Sequence, residues 1–365
     1  MKKVLFILLM AAGSTLPLAC SNPSPTGPAP TVTPTSTPTN WFGYTATFTP
    51  TPNLTAAGFT STFTYTPSSP TNTITLTPVP TATLSPTPFA ISTPLVKATG
   101  PSVVYPNGLA VNAAGTTLYV AEGNGTVAGT IHIFNVSGTN FTAAATLTGT
   151  GSVTFNNPYG VAVNSAATTF YVVDAGNSAV YAFNASTNAF ITSWSTNGTV
   201  NLNSPEGIAV DSSGNVYVAD TGNNEVEKFD SAGNIITIWS TGLSAFSSPS
   251  AVALDGSNNL YVADADHELV QIYNGSSWNE WSTEPNSDIF GIAVDGSGNV
   301  YVADSGNSVV TEYNGSGALQ TQWNRSSSSY PFISPDGVVF SGGDVWVTDF
   351  ENGPSNLGTL TLFGP

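Results

Sequence analysis

The sequence predicts an all-β fold, a six-bladed β-propeller of four-stranded antiparallel blades, and three observations carry that prediction. A phrase recurs six times, opening on Pro106-Asn107-Gly108, Pro158-Tyr159-Gly160, Pro205-Glu206-Gly207, Pro249-Ser250-Ala251, Ile289-Phe290-Gly291 and Pro335-Asp336-Gly337. Successive triplets stand roughly 40 to 52 residues apart, the range of propeller blades. Within each copy, four short β-prone runs alternate with turns rich in Gly and Asn. The sixth copy stops one strand short, and a matching stretch lies upstream of the first.

The third copy shows the elements in order. "GIAV" is a short apolar run for an innermost strand, "DSSGN" a tight hairpin whose Gly supplies positive φ, and "VYVAD" a β-branched and aromatic strand. "TGNN" is a loop, "EVEKF" a third strand, "DSAGN" another Gly turn and "IITIWST" a fourth strand. One such blade cannot bury both faces alone; six packed around an axis can. The fourth strand repeats a tryptophan, at Trp194, Trp239, Trp281 and Trp323, with Leu147 in the first copy. An apolar residue precedes most opening triplets: Val103, Phe155, Leu202, Phe246 and Phe332.

With its Pro-x-Gly opening, its "DSSGNVYVAD" hairpin, its "TGNN" loop and its terminal Trp, the chain from about Pro94 to Pro365 resembles the NHL-repeat propellers. In that family an Arg often follows the loop. Here Ala179, Glu225 and Val309 stand in its place, which removes the basis for an RNA-binding face. Aligning "TPLVKATGPSVVYPNG" with "ATLTGTGSVTFNNPYG" predicts that Pro94 to Thr99 supply the outer strand of the last blade, with Val96 at the Trp position. The ring then closes without a splayed blade.

The N-terminal part is different in kind. "MKKVLFILLMAAGSTLPLAC" has the order of an export signal, two lysines, an apolar run and small residues, so residues 1–19 are expected to be removed. The segment resembles a bacterial lipobox ending at Cys20, which predicts lipidation there. Pro17 and Leu18 depart from the usual pattern, and ordinary signal cleavage is the alternative. Residues 20–92 are rich in Thr, Pro and Ser, a composition that cannot offset chain entropy by burial and reads as an extended stalk. The propeller is assigned to residues 93–365. A single cysteine leaves no intrachain disulfide, so packing alone must hold the domain.

Charge narrows the partners. Five Lys and Arg stand against 22 Asp and Glu, a formal charge of −17. Two of the cations are Lys2 and Lys3, so no basic cluster is left for nucleic acid or anionic lipid, and membrane contact is expected through the lipid anchor only. The expectation is an exported monomer anchored at the bacterial outer membrane or cell surface, with a protein or glycan ligand.

Several polar residues have structural readings. Glu122, Asp174, Asp220, Asp264, Asp304 and Asp349 end each second strand, where a carboxylate can accept loop N–H groups. Asp211, Asp255 and Asp295, with Asn112 and Asn164, open the first hairpins as turn acceptors. His132 and His267 fall in different blades and are expected to be peripheral and solvated, respectively. Two histidines are too few for the multi-histidine zinc site of some NHL-type lyases.

The positions that break the repeat are Asn107, Tyr159, Glu206, Ser250, Phe290 and Asp336, the middle residues of the opening triplets. Propeller topology places them around the mouth of the central channel, and their diversity marks a surface free to specialise. Related gluconolactonase-like propellers hold a divalent metal there with Glu, Asn and Asp. That resemblance makes Glu206, Asn107 and Asp336 the metal candidates, with Ca²⁺ as the cation to test, although no metal or other cofactor is expected. The leading reading is a non-catalytic binding or adhesion module. A metal-dependent lactone-hydrolase-like or lyase-like enzyme is the alternative, and a cell-envelope spacer comes third.

Overall fold

A computed structural model describes residues 7–9, 15–17, 95–99, 103–350 except 124, 126–127, 151–152, 197 and 325–331, and 358–364. The chain divides into two compact units, 1–87 and 88–365. In the first, Ile7–Leu9 pairs antiparallel with Thr15–Pro17. Cys20 and the stalk at 20–92 lie outside the described residues.

The second unit is the six-bladed propeller. Blade one is built from Pro106–Val111, Thr117–Glu122, Thr130–Ser137 and Asn140–Leu147, each hydrogen-bonded to the next. Blade two runs from Pro158–Val163 to Phe190–Trp194, blade three from Ile208–Val210 to Ile235–Trp239, blade four from Pro249–Leu254 to Trp278–Ser282, and blade five from Ile289–Val294 to Leu319–Asn324. Blade six takes Pro335–Ser341, Asp344–Asp349 and Thr359–Gly364 from the C-terminal end and Leu95–Thr99 as its outer strand, as predicted.

The register of that last strand departs from the sequence alignment. In the other blades the Trp or Leu faces the second residue of the third strand, as in Val180 with Trp194, Val226 with Trp239 and Ile131 with Leu147. Val96 instead faces Phe363, the position Phe190 holds opposite Phe183. Pairing is set by the strand it joins, and Val96 lacks the bulk of Trp to reveal a shift along it.

The core is divided by the ring. Each of the six apolar clusters joins two adjacent blades, from blades one and two (Tyr119, Phe155, Phe170, Phe183) around to blades six and one (Leu118, Phe134, Trp346, Leu360). The tryptophans work at these seams. Trp194 lies 5.6 Å from the Phe229 ring of the next blade, and Trp281 lies 4.6 Å from Tyr313. Val103, Phe155, Leu202, Phe246 and Phe332 are all buried, pinning the loops that enter five of the six blades. Fully burying such a side chain contributes about 1.5–3 kcal/mol.

The triplet glycines are explained by the same closeness. A Cβ on Gly160 would lie 2.4 Å from the Glu206 carbonyl oxygen, and one on Gly291 would lie 2.4 Å from that of Asp336. At these two positions the innermost strands approach too closely for a side chain, whereas blade four accommodates the small Ala251.

Candidate functional site

The framework acids are satisfied as a set. Asp174 accepts the N–H groups of Asn156 and Asn157 at 2.9 Å each, and the Asn177 side-chain amide at 2.9 Å. Asp220 accepts from Asn203 at 2.7 Å, Asp264 from Ser247 at 2.7 Å, Asp304 from Asp288 at 3.0 Å and Asp349 from Ser334 at 2.7 Å. These donors belong to the loop that enters the blade rather than chiefly to the loop after the acid, so the carboxylates clamp the entering chain. In blade one Glu122 instead pairs with His132, whose ring stacks on Phe134. His267 is 3.0 Å from Asp264 through Nδ1, filling the role that the Asn amide plays at Asn177, Asn223 and Asn307. Both histidines are therefore partners of framework acids. The hairpin acids are turn acceptors: Asp211 takes the N–H groups of Ser213 and Asn215 at 2.9 and 2.8 Å, and Asp255 and Asp295 do the same in their blades.

At the opposite end of each blade, the inner strands surround a narrow cavity of about 60 Å³. Tyr159, Glu206, Ser250, Phe290 and Asp336 all line it, brought together from blades two to six. Blade one contributes Gly108 and Leu109. Asn107 is buried and its side-chain nitrogen donates to the Gly123 and Pro158 carbonyls at 2.9 and 3.1 Å, tying blade one to blade two. Ser250 likewise donates to the Ile289 carbonyl of blade five. Thr348 of blade six donates to the Asn107 carbonyl, tying blade six to blade one.

The remaining four residues form two pairs from opposite blades. Tyr159 and Phe290 meet with ring centroids 6.4 Å apart and planes tilted by 39°. Glu206 and Asp336 are electrostatically coupled, and Tyr159 interacts with Asp336 through its side chain. Burial raises the Glu206 carboxyl to about 7, and Asp288 adds to the shift. Burial also raises Asp336 to about 7, with Glu206 as the largest neighbouring charge and the Tyr159 interaction opposing the shift. Tyr159 is pushed well above its ordinary range by burial and then by Asp336, Glu206 and Asp288. The mouth can thus hold or exchange a proton near neutral pH, and it presents two aromatic faces beside that acid pair.

Asp288 is the residue that the repeat reading missed. It is exposed on the rim and acts on Tyr159, Glu206 and Asp336. The signal was present: the residue before the opening triplet is Tyr105, Asn157, Ser204, Ser248 or Ser334 in the other copies, and an acid only here.

Of the three metal candidates, Asn107 is held through its amide nitrogen on framework carbonyls, and Glu206 and Asp336 come from opposite blades. Among the described residues no group of three or more His, Cys, Asp or Glu is placed to hold an ion. A calcium site needs six to eight oxygens.

Residues 142–266 match the family model described as the SMP-30/Gluconolactonase/LRE-like region. That segment holds Tyr159, Glu206 and Ser250, but not Phe290 or Asp336. Virginiamycin B lyase from Staphylococcus aureus superposes with a TM-score of 0.52 at 14% identity, covering 72% of this chain and 85% of that one. A streptogramin B lyase structure gives 0.51 at 13%, covering 72% and 84%, and U3-55K gives 0.52 at 12%, covering 67% and 75%. At these identities the likeness is one of fold. No curated protein sequence matches.

Proposed function

We propose that the chain is an exported, lipid-anchored propeller that acts as a non-catalytic binding module at the cell envelope, with the channel mouth as its ligand face and a protein or glycan as its ligand. The observation that carries this reading is the size and lining of the mouth. About 60 Å³ accepts one projecting group, whereas pockets that enclose a small molecule run to several hundred Å³. The paired aromatic rings offer a stacking face to such a group, and the acid pair offers hydrogen bonds. The NHL-type assignment of the repeat belongs to the same proposal and rests on the motifs alone.

A lactone-hydrolase-like or lyase-like enzyme is the second reading. It is favoured by the match over residues 142–266 and by carboxyl groups held at about 7, where general acid–base groups work best.

One experiment separates the two. The exported chain and its Glu206→Gln/Asp336→Asn variant are compared for binding to envelope glycans and proteins and for turnover of simple lactones, with and without Ca²⁺ or EDTA. The expected outcome is saturable binding that the variant loses, no turnover, and a melting curve that calcium and EDTA leave unchanged. Turnover abolished by the variant, or a calcium-dependent rise in Tm lost in it, would put the enzyme first.

A further inference from the structure

Blades three and five carry the same polar frame on the face opposite the channel mouth, and blade three fills it with an ammonium group. There Lys228 Nζ lies 2.7 Å from Tyr217 Oη and 3.3 Å from Asp211 Oδ2, and 4.7 Å from the centre of the Tyr217 ring. The hairpin holds Asp211 in place, and Tyr217 stacks on Trp239 at 6.1 Å with planes 8° apart.

Blade five repeats each of these parts. Asp295 accepts from Ser297 and Asn299, and Tyr301 Oη lies 3.3 Å from Asp295 Oδ2. Tyr301 stacks on Trp323 at 6.0 Å with planes 10° apart. The register is the same, with Tyr217 facing Lys228 and Lys228 facing Thr237, and with Tyr301 facing Glu312 and Glu312 facing Thr321. The change is at the centre, where Glu312 takes the place of Lys228 and lies 3.5 Å from Tyr301 Oη. Blades one, two and four have Ile133, Ala182 and Ile272 at that position, so there the frame is capped by an apolar side chain.

We propose that Asp295, Tyr301 and Glu312 form a binding site for a protonated primary amine, such as a lysine side chain of a partner protein. The ligand would sit beside the Glu312 carboxylate, against Tyr301 Oη and Asp295 Oδ2, the counterparts of the two oxygens that the Lys228 ammonium meets in blade three. An ammonium has three N–H donors, and the frame offers three oxygen acceptors around that position. A metal ion is less well served. Both Asp295 oxygens already accept from Asn299, and too few oxygens remain for the six to eight that calcium takes. Glu312 is half-buried, which leaves the site open outward, while Phe340 of blade six closes one side by stacking on Tyr301 at 5.4 Å. This site is separate from the mouth and does not depend on the function proposed for it.

The test uses the full chain, with methylammonium chloride as the probe and NaCl and CaCl₂ at equal ionic strength as references. In the wild type, methylammonium is expected to raise Tm by about 2 °C above NaCl at saturating concentration. Glu312→Gln is expected to lose that rise. Glu312→Lys is expected to melt higher than the wild type without amine and to show no response. Lys228→Ala, which opens the blade-three frame, is expected to recover stability when the amine is added. Equal responses in wild type and Glu312→Gln would overturn the proposal, as would a CaCl₂ effect matching that of the amine, or no recovery in Lys228→Ala. Should Glu312→Lys fail to fold, the Tyr301 ring resonances decide: they shift with amine in the wild type and not in Glu312→Gln, and no shift in the wild type rejects the site.

Discussion

Glu206 and Asp336 carry an electrostatic cost that most surface carboxylates avoid, and the sign of its effect on stability follows from their shifts. Both are raised in the folded state to about 7, so the native protein holds these protons more tightly than the unfolded chain. Their contribution is full below the unfolded values near 4 and is lost as pH rises through about 7. Tm is expected to fall between pH 5 and pH 8, and Glu206→Gln/Asp336→Asn should flatten that fall and melt higher than wild type at pH 8. A thermal-melt series across that range checks it. Backbone strain gives a second expectation. Ala167 sits at φ 52° in a hairpin where other copies place Gly or Asn, so Ala167→Gly should stabilise by about 0.5–1 kcal/mol, read from denaturant unfolding. At this scale the sequence was legible where a residue broke the repeat, as with Tyr159 and Phe290. It was not legible for Asn107, because an Asn amide serves equally as ligand or as backbone tie and only the fold shows which carbonyls lie within reach.

At the scale of the element, the Pro-x-Gly opening and the acid ending the second strand act as one device. The Gly lets inner strands approach, and the acid clamps the chain entering the blade. Gly160→Ala would press a methyl group against the Glu206 carbonyl and is expected to cost about 1–3 kcal/mol. Gly256→Ala, where nothing lies within 4 Å, is the control and should be near neutral. Asp304→Asn should lower stability at every calcium concentration, because Asp304 accepts from Asp288, Asn307 and Ser287 as part of the framework. Chemical denaturation of the three variants checks these. The strands and hairpins were readable from "DSSGN" and "VYVAD" because alternation and turn residues are local properties. The origin of the clamp's donors was not, since Asn156 and Asn157 lie 18 and 17 residues before Asp174 in the chain.

For the whole molecule, closure decides everything else. Leu95–Thr99 hydrogen-bonds to Thr359–Gly364, so the ring is fastened by strands from both ends of the propeller. Deletion through Gly100 should lower Tm sharply by exposing that edge, and deletion through Ala90 should not; equal melting of the two would contradict closure by this strand. The missing fourth strand of the last copy made this visible in sequence, while the register stayed hidden because no Trp marks it. Closure is also what makes the mouth. Glu206 and Asp336 lie in blades three and six, far apart in the chain, and they influence one another only if the ring brings them across one narrow channel. Solvated surface acids in a looser assembly would titrate independently near 4. The most direct test is therefore a ¹³C NMR titration of the two side-chain carboxyl carbons in the intact protein. The account predicts that both titrate near pH 7 in coupled steps, and that each moves when the other is neutralised by substitution. Independent titration of both in the ordinary carboxylate range would contradict it.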